Sequence, residues 1–310
     1  MSMDSSAYTE CRPLMFSIAY RMTGSVGDAE DIVQEAFLRA AADTASVGSP
    51  KAYLATITTR LAIDYLRSAR VRRESYLGTW LPEPLVTDEA PGPAEQAEMS
   101  DSLSMAFLTL LEKLSPAERA VFLLREVFGY GYDEIAATAG KSEAACRQLF
   151  ARARRGINEG RPRYGTSRAD AEELTSIFLD VAGGGELTRL LDRLAPDVVF
   201  YGDSGGKGET TFSAPVFGRD RVAEVLTLQI ARALALGGRL QPAIVNGRAG
   251  VLARDTEDLL IAVMTYDVLD GQLQAIRVVA NPDKIRHIGQ VSETWHLRAA
   301  DVTGEEGAQS

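Results

Sequence analysis

The sequence predicts a multi-domain protein with two all-α helical domains, the second containing a helix-turn-helix, followed by a C-terminal α+β domain with an antiparallel sheet. Three observations predict this fold class. Apolar residues recur at spacings of three and four up to about residue 163, they alternate as in strands in the later part, and a proline-rich acidic segment interrupts the helical part. The length of 310 residues is consistent with more than one domain.

The composition is that of an ordinary globular chain. Hydrophobic residues make up 45% and charged residues 25%, which excludes a wholly disordered or fibrous protein. No apolar run is long enough to cross a bilayer and the N-terminus lacks the pattern of a signal peptide, so we expect a soluble cytoplasmic protein without a membrane partner. Cys11 and Cys146 lie far apart, so we expect no disulfide, metal site or cofactor, and both thiols in the core.

The net charge of −10 argues against a protein that binds nucleic acid unaided through a broad basic face. Two basic islands stand out from this average. Residues 60–73 carry five arginines against one aspartate, and residues 141–163 carry seven lysines and arginines against two glutamates. These islands indicate contact with a polyanion.

The first helices are predicted within residues 16–40 and from Ser49 onward. In the stretch 28–40 one face is apolar and the other acidic, which fits either a solvated surface or a partner-binding surface. Ser49 and Pro50 are a typical helix start. After them, Tyr53 and Tyr65 alternate with threonines and arginines, a chemistry that can hold separated bases, although tyrosines at helical spacing also fit a core.

Residues 76–99 join the two helical domains. This segment contains four prolines and several acidic residues without a lysine or arginine. It is predicted either as a solvated linker or as an extended segment that docks in a groove. Its apolar opening, residues 80–82, favours docking.

The helix-turn-helix is predicted between Ser115 and about residue 157. Ser115, Pro116 and Glu118 form a capping-box sequence, and a glycine turn at residues 139–141 separates two helices, the second opened by Ser142. The outward face of that second helix combines small residues with glutamine and arginines, which fits the major groove of DNA. The alternative is a helical hairpin with a solvated basic face.

The C-terminal part is predicted as two helices followed by hairpins. The helices cover 169–181 and 186–194, separated by three glycines. Asn-Gly and Asp-Gly pairs at 246–247 and 270–271 indicate tight hairpin turns. Strands are predicted at 198–201, 240–245, 251–254, 259–268, 273–280 and 284–288.

Together these blocks resemble the extracytoplasmic-function sigma factors. Residues 19–24, 29–38 and 53–67 match region two of that family, and residues 114–157 match region four. The resemblance implies a non-enzymatic factor that binds core RNA polymerase and promoter DNA and directs promoter-specific transcription initiation. It implies a contact with the polymerase β flap. Docking on the β′ clamp helices is implied for Asp28, Glu30, Asp31, Gln34 and Glu35.

The resemblance further implies two DNA-reading surfaces. The family commonly has tryptophan where Tyr53 stands and asparagine where Arg60 stands. Reading of the minus-10 element is implied for Tyr53, Thr56, Arg60, Asp64, Arg67 and Arg70. Reading of the minus-35 element is implied for Ser142, Arg147, Gln148, Ala151, Arg152, Arg154 and Arg155.

The rest of the chain resembles the SigJ-like subgroup, which carries a C-terminal SnoaL-like extension with a nuclear-transport-factor-like α+β cone fold and is regulated by it in cis. The expected parts are region two at 1–75, the linker at 76–99, region four at 100–164, the extension at 165–298 and a disordered tail at 299–310. Three unusual segments are expected to meet at a regulatory interface. Its expected members are Trp80, Leu81, Pro82, Asp203, Gly205, Gly206, Lys207, Asn281, Pro282, Asp283 and Lys284.

Two alternatives remain open for the extension: a polyketide-cyclase-like or isomerase-like enzyme, or a sensor whose partner is a small-molecule ligand. Similar cones catalyse with a buried Asp, Tyr or His, but no triad is evident. The loop that ends at Lys207 is not a Walker A motif, because Tyr201 and Gly208 replace the required residues. The catalytic candidates are Asp203, Tyr266, Asp267, Asp283 and His287.

Overall fold

A computed structural model describes residues 5–42, 49–74, 76, 78–87, 102–160, 168–206, 214–235 and 237–292. In these ranges no helix is both long and apolar enough to cross a membrane. The chain divides into two compact units, Met1–Ser75 with Ala106–Arg161, and Tyr76–Met105 with Pro162–Ser310. Most of the second half of the linker and the predicted disordered tail lie outside the described residues.

The first unit is helical, as predicted. Local signals set the helix ends: Gly24, at φ 68°, ends the first helix, and the Ser25 side chain accepts a hydrogen bond from the backbone N–H of Asp28. Ser49 and Pro50 begin the third helix. The helices are α1 (Ser5–Thr23), α2 (Val26–Ala42), α3 (Pro50–Glu74), α4 (Met105–Leu111), α5 (Pro116–Phe122), α6 (Tyr132–Ala139) and α7 (Glu143–Gly160).

The helix-turn-helix is confirmed. Ser115 and Glu118 form the predicted capping box, Gly140 turns the chain at φ 62°, and the Ser142 hydroxyl accepts from the backbone of the first turn of α7. Both cysteines are buried, as expected. One cluster of buried side chains packs α5, α6 and α7 together: Val121, Leu124, Ile135, Cys146 and Leu149. Burial of each valine, leucine or isoleucine in it contributes about 1.5–3 kcal/mol to stability.

The second unit is built on a sheet whose strand order within the described residues is β1-β4-β5-β6-β7-β2-β3. Helices α8 and α10 pack on it. The strands are β1 (Val86–Thr87), β2 (Leu194–Asp203), β3 (Val216–Phe217), β4 (Arg239–Val245), β5 (Arg248–Arg254), β6 (Leu260–Leu269) and β7 (Gln272–Val279). The helices are α8 (Arg168–Ala182), α9 (Leu187–Leu191), α10 (Arg219–Ala235) and α11 (Pro282–Ile285).

The pairing departs from a purely antiparallel sheet at one place. Strands β2 and β7 are parallel, whereas every other neighbouring pair is antiparallel. The reason is the crossover through α10, because a hairpin can join only antiparallel strands. Both predicted hairpin turns are present, with positive φ at Asn246, Gly247, Asp270 and Gly271.

Three expectations about local structure were wrong or incomplete. The stretch 284–288 is not a strand: Asn281 caps α11 with its side chain and Pro282 occupies the first turn, so the chain forms a short helix there. The helix predicted at 186–194 ends at Leu191, and Leu194 already belongs to β2. Helix α10 was not predicted, although Val222 and Leu226 recur at helical spacing and are buried.

Candidate nucleic-acid interface and linker clamp

The outward face of α7 carries six of the seven residues that the sequence assigned to the minus-35 surface, and the seventh, Ser142, lies directly before the helix. The opposite arc is buried on the core described above, and this fixes which side of the helix is presented to solvent. The face therefore presents glutamine and arginine donors beside the small Ala151. All seven residues are exposed: Ser142, Arg147, Gln148, Ala151, Arg152, Arg154 and Arg155.

Two of these arginines are held by neighbouring side chains. Arg147 donates to the Glu143 carboxylate at 2.8 Å and lies 4.8 Å from the Tyr132 ring centroid. Arg152 donates to Glu118 of the capping box at 2.9 Å. Because exposed ion pairs contribute little energy, these contacts orient the guanidinium groups without preventing their use.

The minus-10 candidates on α3 are divided between solvent and a contact with α6. The Thr56 and Thr138 hydroxyls lie 3.0 Å apart. Arg60 donates to the carbonyl oxygens of Thr138 at 3.0 Å and of Ala137 at 2.8 Å. Thus Thr56 and Arg60, which the sequence assigned to DNA, contact the first helix of the helix-turn-helix in this structure.

The other α3 candidates lie along the same helix. Tyr53 is half-buried, whereas Asp64 and Arg67 are exposed and form an ion pair at 3.1 Å. The backbone of Arg70 belongs to α3, and its side chain lies outside the described part. The surface thus combines an aromatic ring with charged groups at its exposed end.

The acidic face of α2 is only partly accessible to solvent. Asp31, Gln34 and Glu35 are exposed, whereas Asp28 accepts from the Tyr65 hydroxyl and Glu30 pairs with an arginine of α1 at 2.7 Å. Leu38 continues the exposed row with 63% of its surface accessible. Sequence reasoning placed no role on Leu38, although its spacing of seven from Asp31 puts it on the same face.

Asp203, at the end of β2, is completely buried and organises the start of the linker. One of its carboxylate oxygens accepts from the Leu81 backbone N–H and from Lys284 Nζ, both at 2.7 Å. The other accepts from the Tyr76 hydroxyl and from the Gly205 N–H at 3.1 Å. We call this group of buried and half-buried residues the linker clamp: Tyr76, Trp80, Leu81, Asp203, Asn281 and Lys284.

Lys284 supplies the positive charge of the linker clamp. Its ammonium group also donates to the Leu81 carbonyl oxygen at 2.5 Å and lies 4.3 Å and 4.8 Å from the ring centroids of Trp80 and Tyr76. Burial and the Asp203 carboxylate raise the pKa of Tyr76, so its hydroxyl remains a proton donor. The charged pair is thus enclosed by hydrogen bonds and aromatic faces, as a buried ion pair requires.

The linker continues along the sheet beyond the linker clamp. His287 Nε2 lies 2.9 Å from the Pro84 carbonyl oxygen, and the Asn246 side chain accepts from the Leu85 N–H at 3.0 Å. Val86 and Thr87 then pair with β4 as strand β1. Within the described residues, the first half of the linker is therefore docked on the sheet. Of the two predictions made from the sequence, a solvated linker or a docked segment, the second holds for this half.

The three segments expected to form an interface meet around Asp203, but not through every expected residue. Pro82 is buried, whereas Gly206 and Asp283 are exposed and Lys207 lies outside the described residues. Pro282 begins α11. A Cβ on Gly205, at φ 64°, would come within 2.4 Å of Asn281 Nδ2, so this position needs glycine. Sequence reasoning missed Tyr76, Asn246 and the contact of His287.

The catalytic candidates of the extension do not converge. Asp203 and His287 hold the linker, and Asp283 is exposed. Tyr266 bonds to the Thr175 hydroxyl and the Ala171 carbonyl oxygen, and Asp267 forms a buried pair with Arg277 at 2.7 Å. Four of the five groups therefore have separate structural partners, and Asp283 lies at the surface.

Comparison with known proteins gives a consistent result. The family models Sigma-70 region 2 and Sigma-70, region 4 match residues 7–72 and 104–156. The chain is 37% identical to ECF RNA polymerase sigma factor SigJ of Mycobacterium tuberculosis, over 91% of this chain and 93% of the relative. It is 32% identical to the probable ECF RNA polymerase sigma factor SigI of the same species, over 91% and 94%. The crystal structure of the M. tuberculosis extracytoplasmic function sigma factor SigJ aligns with a TM-score of 0.72 and 35% identity, over 91% and 98% of the two chains.

Proposed function

The chain belongs to the extracytoplasmic-function sigma factors, and from this membership we propose how its residues divide the work of promoter-directed transcription initiation. Like its relatives, it binds core RNA polymerase and promoter DNA, and its C-terminal region is regulatory. The observation that carries the assignment of residues is the outward face of α7, where glutamine and arginines project from the second helix of a helix-turn-helix.

In the proposed division, α7 enters the major groove of the minus-35 element. Arginine and glutamine form paired hydrogen bonds with base edges, and Ala151 permits close approach of the helix backbone. Contacts between the flanking Arg154 and phosphates add affinity without sequence preference. Region four also meets the polymerase β flap in this proposal.

The basic surface of α3 reads the melted minus-10 strand. Tyr53 offers a stacking face, and Arg67 and Arg70 neutralise phosphates. Thr56 and Arg60 become available only when their bonds to α6 are broken. The α3–α6 contact thus opposes minus-10 reading in the free chain.

Thr138→Val tests whether the α3–α6 contact opposes minus-10 reading, and it changes no residue that is assigned to DNA binding. Valine has nearly the same shape but cannot bond to Thr56, and one neutral hydrogen bond contributes about 0.5–1.5 kcal/mol. We expect about a two- to tenfold gain in affinity for single-stranded minus-10 DNA, measured by fluorescence anisotropy. Thr227→Val, at an exposed threonine of α10, is the control and should bind as wild type. An unchanged or weakened affinity of Thr138→Val would contradict the proposal.

Docking on the β′ clamp helices is assigned to the exposed row of α2. We expect Leu38→Asp to reduce capture of core polymerase at least tenfold in surface plasmon resonance, because it places a charge at the apolar end of this exposed row. Leu228→Asp, at an exposed leucine of α10, is the matched control. If both variants captured core polymerase equally well, α2 would not be part of the contact with the polymerase. Failure of the wild-type chain to support run-off transcription with core polymerase would overturn the function itself.

The linker clamp is assigned to regulation in cis. It holds the start of the linker, up to β1, on the extension. The number of linker residues free to extend between region two and region four therefore depends on whether the linker clamp is closed. The extension works here without catalysis, since its catalytic candidates do not converge on one site. A small-molecule ligand of the extension is part of the proposal, and an apolar cavity favours it.

A further inference from the structure

The extension contains a cavity of about 140 Å³ between α10 and the sheet. Its walls are apolar side chains from both layers, including Phe178, Phe200, Leu226, Val251 and Met264. A cavity of about 150 Å³ with such a lining stays dry and accepts a benzene-sized molecule. The space therefore suits an apolar group of about one aromatic ring.

One polar group beside this cavity has no hydrogen-bond partner among the described residues. Gln229 of α10 contributes to the lining, and its Nε2 is buried and has no hydrogen-bond partner among the described residues. A buried donor left unpaired costs about 1–3 kcal/mol. An occupant with an acceptor oxygen would recover this energy once the Gln229 amide turns its N–H toward the cavity.

The remaining polar lining consists of arginines. Arg232, Arg239 and Arg254 line the cavity, and Arg239 is exposed, which puts positive charge at the open side. Asp258 is the carboxylate partner of both Arg239 and Arg254, and Asp255 also interacts electrostatically with Arg239. The guanidinium groups at the cavity favour an anionic ligand.

We propose that the extension binds a small organic acid in this cavity, with an apolar body of about one ring inside and its carboxylate toward Gln229 and the arginines. The described lining contains no Asp, Glu, His, Cys, Ser, Thr, Tyr or Lys, so it offers no nucleophile or general base and the acid leaves unchanged. The inference deepens the regulatory role given to the extension and rests on it for its biological meaning. Binding itself is measured on the chain alone.

The cavity also adjoins the linker clamp through two strands. Phe200 lines the cavity and Asp203 follows three residues later in β2, while Ala280 lines the cavity directly before Asn281. The Ala280 N–H bonds to the Asp203 carbonyl oxygen at 2.8 Å. An occupant therefore contacts the strands that carry two members of the linker clamp.

The experiment is a ligand-observed NMR titration of the full chain with three probes: phenylacetate, its neutral isostere phenylacetamide, and acetate. We expect saturable binding of phenylacetate, at least tenfold weaker binding of phenylacetamide, and no binding of acetate. No saturable binding of phenylacetate would overturn the proposal. Equal affinity for phenylacetate and phenylacetamide would also overturn it, because the charge would then have no role.

Two variants locate the site. Gln229→Leu should weaken phenylacetate binding about tenfold while leaving the melting temperature equal or higher, since it removes an unpaired buried donor. Ala253→Phe, which fills the cavity from β5, should abolish binding. Wild-type affinity in Gln229→Leu would overturn the site even if Ala253→Phe does not fold. A negative titration combined with normal run-off transcription would reject the ligand and retain the sigma function.

Discussion

Asp203→Leu is expected to lower the free energy of unfolding of the C-terminal unit by about 3–5 kcal/mol, the usual cost of removing one partner of a buried ion pair. The substitution leaves the Lys284 ammonium buried without its carboxylate at 2.7 Å and removes the acceptor of the Leu81 N–H. Chemical denaturation measures the loss. Hydrogen exchange of residues 76–87 should rise at the same time, because the linker loses its main anchor.

Two further variants separate this effect from a general loss of charge. Asp283→Asn changes an exposed carboxylate next to Lys284 and should alter stability by less than about 0.5 kcal/mol. The double variant Asp203→Leu, Lys284→Met removes both charges and should recover much of the loss. Stability of Asp203→Leu within 0.5 kcal/mol of wild type would show that the linker clamp does not hold the linker.

The same variant tests regulation in cis. Opening of the linker clamp should change run-off transcription strongly, in the same direction as removal of the residues after about 165. Wild-type transcription from both chains would reject the regulatory role, while leaving the stability result intact.

The second large effect is expected on α7. Gln148→Ala and Arg155→Ala should each weaken binding of the reconstituted holoenzyme to its minus-35 element by about 1–3 kcal/mol, the usual contribution of a good contact with a base. Stability should stay within about 0.5 kcal/mol of wild type, because both side chains are exposed. Fluorescence anisotropy on promoter fragments selected with the wild-type holoenzyme measures the loss.

The pattern of loss distinguishes base reading from phosphate contact. A residue that reads a base relaxes sequence preference at one position, whereas a phosphate contact weakens all sequences alike and lowers the salt dependence by about one charge. Arg189→Ala, at an exposed arginine of α9, is the charge-matched control. Unchanged promoter binding by both α7 variants would leave the helix-turn-helix without its proposed role.

Local chemistry made much of this fold predictable. The capping box at Ser115 and the hairpin turns at 246–247 and 270–271 are each specified by adjacent residues, and all three are present. The prediction of a strand at 284–288 was wrong, although Asn281 and Pro282 give a helix-start signal directly before it.

The linker clamp could be predicted only in part, because its contacts join residues far apart in sequence. Leu81 bonds to a carboxylate 122 residues away, and the lysine that binds the same carboxylate is 81 residues beyond it. Unusual composition indicated that the three segments belong together. Sequence alone does not show that Lys284, and not Asp283, joins the linker clamp. This depends on the short helix α11, in which Lys284 is buried and Asp283 is exposed.

The position of strand β1 in the chain limits how the extension can be transferred to another protein. Although the extension is the last part of the chain, the first strand of its sheet lies between the two DNA-reading regions, before α4. The sigma regions and the extension are therefore interleaved in the gene, and dividing the chain at one position does not separate them. A graft of residues 165–310 onto another factor would lack an edge strand, and a chain shortened after residue 165 would retain Leu81 and β1 without the sheet that receives them.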